Sequence, residues 1–60
     1  SPLRRQRLAA GTVLLEQPIR TAPSVQSIDE AVTADILGEF NGFSLVQPST
    51  GHAGWLEIKP

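Results

Sequence analysis

The chain has no cysteine, no methionine and no tyrosine, and its aromatics are three: Phe40, Phe43 and Trp55. Without cysteine, disulfide staples and thiolate zinc sites are excluded, and either redox compartment stays open. No apolar run approaches the roughly 18 residues that cross a bilayer, and no signal peptide is present, so the chain reads as soluble. The start at Ser1 reads as a processed product or a piece of a longer protein. Charged residues make up 18% and hydrophobic ones 40%, too little charge and too much apolar content for a disordered tail. What is there amounts to 60 residues, enough for one small unit. A chain of that length buries only about 60% of the surface it exposes unfolded, so a substrate cavity walled on all sides is not expected.

The net charge of −1 conceals an asymmetry. Arg4, Arg5 and Arg7 stand within the first seven positions, whereas residues 8–60 hold two basic residues against six acidic ones, a net of −4. Such a body repels nucleic acid, which is bound by clustered Lys and Arg, usually with stacking aromatics. Residues 1–10 therefore read as a basic flexible arm or linker, outside a folded unit at 11–60. A membrane enters only indirectly, if a span upstream places the arginines at a cytoplasmic surface rich in anionic lipid.

Thr12 to Gln17 is a short β-branched and apolar run stopped by Pro18, the pattern of a first strand. Ile19 to Ser24 mixes one apolar anchor with turn formers and reads as a loop across the end of a sheet. Asn41-Gly42 is the strongest hairpin signal, since both residues accept the positive φ of a type I′ turn. Phe43 to Gln47 follows as a strand, Pro48 to Gly51 as a turn, and Ala53 to Ile58 as a last strand. Residues 28–37 support two readings. Ser27-Ile28-Asp29-Glu30 has the spacing of a capping box, with Ile28, Ala31, Val32 and Ile36 on one helical face; Val32 to Ile36 also alternates with period two and leads into the hairpin. Because a two-stranded hairpin is marginal in water, the strand is favoured. The expected core is Val13, Leu15, Ile19, Val32, Ile36, Leu45, Val46, Leu56 and Ile58.

Three patterns in order, Ile19-Arg20-Thr21-Ala22-Pro23-Ser24, Leu37-Gly38-Glu39-Phe40-Asn41-Gly42-Phe43 and Thr50-Gly51-His52-Ala53-Gly54-Trp55-Leu56, resemble the bacterial SH3-like domain family. The resemblance spans Thr12 to Ile58, with Phe43 where that family commonly has Trp. It implies an all-β, partly open SH3-like barrel of four or five strands, an α+β mini-domain with a helix at 28–37 being the alternative. It further implies an accessory module of exported or cell-envelope proteins, which docks a peptide or protein segment.

Catalysis finds no support in the residues. His52 is the one histidine and sits in a turn sequence, without the further ligands a metal site requires. Asp29 and Glu30 are adjacent, so they cannot face one another as acid and base on a strand or a helix. No serine carries the signature of a positioned base or an oxyanion hole. No enzyme activity, cofactor or metal is expected. Trp55 shares a face of the last strand with Ala53 and Glu57, opposite Gly54, Leu56 and Ile58, which points to a partly exposed ring. Trp55, Phe43, Arg20 and Glu57 are the expected ligand-binding surface. The rival reading is a structural domain within a homo-oligomer or larger complex, its apolar surface covered by neighbours.

Overall fold

In the computed structural model, residues 4–58 are described, and they form six strands and no helix. These are β1 (Arg4–Leu8), β2 (Val13–Leu15), β3 (Ser24–Ser27), β4 (Val32–Phe40), β5 (Phe43–Pro48) and β6 (Gly54–Glu57). All pairings are antiparallel, in one sheet of order β1-β4-β5-β6-β2-β3. A flat sheet would be thin in one direction, about 10 Å with its side chains. The described chain measures 24 × 24 × 21 Å, so the sheet is rolled on itself into a small barrel-like shape. Its ends, β1 and β3, are not paired with one another among the described residues; the bonds from the Gly11 N–H to the Ile28 carbonyl (2.7 Å) and from the Ile28 N–H to the Thr12 carbonyl (2.8 Å) continue the β2–β3 ladder by one position.

The all-β expectation holds, and the helix at 28–37 is excluded because β4 runs unbroken from Val32 to Phe40. The Asn41-Gly42 turn is as expected, with φ of 56° and 81°, both in the left-handed region that a type I′ turn demands. Six strands stand against the expected four or five, and β3 and β1 are the two that no sequence pattern had marked. β3 falls between the loop read at Ile19–Ser24 and the capping-box spacing that starts at Ser27, since Ser24-Val25-Gln26-Ser27 is too short and polar to announce itself, and Val25 is bulged out of register between Leu14 and Leu15 of β2. β1 corrects the reading of residues 1–10 as a flexible arm. Arg4–Leu8 pairs along its whole length with β4, Leu8 is 2% exposed, and Asp35 and Glu39 supply acidic partners for Arg5 and Arg4. The apolar anchor and β4's carboxylates offset the cost of ordering an arginine-rich strand. Residues 1–3 of that arm, and residues 59–60, lie outside the described residues.

The concave inner face carries the core: Leu8, Leu14, Ile28, Ala34, Ile36 and Val46, with Val32 and Leu56 packed against them. Burying each of the larger ones contributes about 1.5–3 kcal/mol, a large share of the stability of so small a domain. β2 is phased opposite to expectation. Leu14 points inward and is fully buried, while Val13 stays 45% exposed. Three successive apolar residues cannot report their own phase. Gly54 opposite does: a Cβ there would lie 2.6 Å from the Cβ of Leu14, so only glycine lets Leu14 seat inside the barrel. Ile19 and Ile58, also expected in the core, are on the surface.

Candidate interaction face

Strand register places side chains on the convex outer face as firmly as it fills the inner one. Because Val46 pairs with Gly54 and both point inward, the next pair, Leu45 and Trp55, points outward. Trp55 is also the partner of Leu15 on β2, and Leu45 is the partner of Gly38 on β4. A continuous row Leu15–Trp55–Leu45–Gly38 thus crosses four strands. Leu15, Trp55 and Leu45 are half-buried, and at Gly38 an added Cβ would meet no atom within 4 Å, which leaves the β4 end of the row as an open floor.

The bulge in β4 sets that floor. Ile36 pairs with Val46 and Gly38 with Leu45, so Leu37 is the extra residue and stands 47% exposed beside the row. Past the bulge the alternation flips. Phe40, which uninterrupted period two would turn inward with Ile36, instead lies on the outer face opposite Phe43 and is 65% exposed.

The second outer row holds three of the expected site residues. Glu57 pairs across the strands with Phe43, and Arg20 Nε donates to Glu57 Oε2 at 2.8 Å. Trp55, two residues before Glu57, lies on the same face. Arg20 comes from the loop between β2 and β3, which is closed at its base by the Glu16 N–H to Pro23 C=O bond and held over the β4–β5 turn by Asn41 Nδ2 donating to the Pro18 carbonyl. The Arg20 side chain is 81% exposed and that of Glu57 35%, so their ion pair stabilises by no more than about 1 kcal/mol and serves mainly to place the loop. The structure therefore brings Trp55, Phe43, Arg20 and Glu57 into one region, with one correction. Phe43 is 5% exposed and sits beneath the surface as a floor, where an incoming molecule cannot touch much of it.

β2 and β6 meet at the single pair Leu15–Trp55, and where they part a hollow of about 490 Å³ opens, lined by Val13, Leu15, Leu56 and Glu57 among others. Among the described residues, no three of His, Cys, Asp and Glu stand close enough to hold a metal ion, and no carboxylate is buried. Sequence reasoning missed Leu15, Leu45, Gly38 and Phe40 as members of the outer face. Counting back from the Asn41-Gly42 turn pairs 40 with 43 and 38 with 45, so half of the row was recoverable from the hairpin alone. Comparison of this chain with models of known families, with characterised proteins and with solved structures gave no match.

Proposed function

We propose that this chain is a non-catalytic accessory module of the SH3-like kind, which docks a peptide or protein segment on the outer face of β2, β6 and β5. The observation that carries this reading is the uncovered row Leu15–Trp55–Leu45–Gly38. An outer sheet face is ordinarily the polar one, and an apolar row left on it marks a surface made for contact. The row has the qualities of a binding floor. Trp55 supplies a large ring at low entropic cost, Gly38 leaves room for a guest side chain, and the Arg20–Glu57 pair forms a polar rim at one edge. The three sequence patterns shared with the bacterial SH3-like family support the same reading, and with it a setting in the cell envelope.

Selection from a random peptide library displayed on phage tests the docking role. Enriched peptides should bind with a change in Trp55 fluorescence and should lose binding to Gly38→Glu, whose side chain would fill the open end of the row without touching the inner core. Failure to enrich any motif that depends on Trp55 and Gly38 would contradict it. A second reading rests on another observation, that Val13, Ile19, Leu37, Phe40 and Ile58 are each more than 40% exposed. So many uncovered apolar side chains on 60 residues also suit a domain packed permanently within an assembly.

A further inference from the structure

β1 is an edge of the sheet. It pairs with β4 on one side, and among the described residues no strand lies on its other side, so alternate backbone N–H and C=O groups face outward unpaired. Strand register sets Arg5 and Arg7 on the outer face, opposite Asp35 and Thr33. Two residues apart on an extended chain, their side chains leave the backbone about 7 Å from one another. Arg5 touches Asp35 through Nε at 3.3 Å while its side chain stays 76% exposed, and Arg7 has no ion-pair partner among the described residues.

Charged side chains on an edge strand keep other edges away, and here they discriminate by sign. A second copy of this chain added antiparallel about the central Gln6 would set Arg5 against Arg7 twice, like charges directly opposed. An apolar strand would leave the guanidinium groups without partners. An extended segment with carboxylates at alternate positions has the same repeat of about 7 Å and places one beside each arginine. We propose that the free edge of β1 accepts an acidic extended segment of a partner protein by strand addition, with Arg5 and Arg7 each bound to a carboxylate two residues apart on the incoming strand. This contact lies on a different strand from the apolar row and stands whether or not that row binds anything. The edge supplies affinity through main-chain hydrogen bonds and the arginines supply selection.

The test uses residues 1–60 and a blocked heptapeptide alternating threonine and glutamate. Nuclear magnetic resonance titration should shift the amides of Arg4–Leu8 and slow their exchange, with binding that weakens as salt is raised. Arg7→Glu should weaken binding about tenfold, the loss expected for one close charge pair, and should bind the lysine version of the peptide better than the wild type does. Because Arg7 makes no ion pair among the described residues, that variant keeps the Arg4–Glu39 and Arg5–Asp35 contacts, and the two peptides compared on the wild type give the same answer without any variant. Equal binding of a peptide N-methylated at alternate residues would overturn strand addition, since charge alone would then suffice. Absence of binding would overturn the proposal outright. So would tighter binding to phosphatidylserine vesicles than to the peptide through the same arginines, which would assign the edge to a membrane surface.

Discussion

The outer face of the sheet divides into two halves that obey opposite rules. Over β1, the first part of β4 and the end of β5, outward positions are Arg5, Arg7, Thr33, Asp35 and Gln47, the polar dress expected of a surface facing water. Over β2, β6 and the start of β5 the outward positions are Val13, Leu15, Trp55, Leu45 and Phe43, with Glu57 the one charged residue among them. Both halves belong to the same six strands and both back onto the same core, so hydrophobic burial within the chain does not explain the difference. The bulge at Leu37 is the border on β4. Before it the outward residues are polar, and after it they are Gly38 and Phe40. Under the proposed docking role, the apolar side chains kept outward across four strands would meet another molecule, whereas the arginine-rich half would exclude most partners.

Both halves rest on the shared inner face, where the largest effect is expected. Ile36→Ala should cost about 3 kcal/mol in urea denaturation, since a fully buried side chain leaves a cavity. A loss below about 1 kcal/mol would mean that the inner face is not the core, and neither half would then be an outer one. Leu8→Ala should cost about 2 kcal/mol and so fix the polar half to the fold; an unchanged midpoint would return β1 to the status of a loose arm. Gly38→Thr should stabilise by up to about 1 kcal/mol, because its Cβ enters open space and threonine suits a strand. The same change should abolish docking on the apolar row, and retained docking would remove Gly38 from the site. Arg20→Ala should be the mildest, within about 0.5 kcal/mol and smaller still at high salt, as expected for an exposed ion pair. A larger loss would show that the loop carrying Arg20 is part of the core structure.

What could be read in advance divides along similar lines. The Asn41-Gly42 turn carries its own backbone requirement, and the two strands it joins were legible for that reason. The period-two run from Val32 to Ile36 marked Ile36 correctly as core, and the alternation in β6 separated Trp55 from Leu56. Three features escaped for physical reasons. Leu14 was passed over because its phase is set by Gly54 on another strand, a contact between residues 40 positions apart. The side on which Phe40 lies could not be read, because the bulge that reverses the alternation has no local sequence signal here. β1 was hidden because arginines look solvated until their carboxylate partners, Asp35 and Glu39, are known to lie on the neighbouring strand.

Under the proposed function, the apolar half of the outer face stands open on a folded monomer. Sedimentation equilibrium combined with urea denaturation across a hundredfold range of protein concentration tests it most directly. A monomer is expected at all concentrations, with a single cooperative transition whose midpoint stays fixed. A midpoint that climbs with concentration, accompanied by a larger sedimenting species, would contradict it, because the row through Trp55 would then be the buried interface of an assembly on which the fold itself depends.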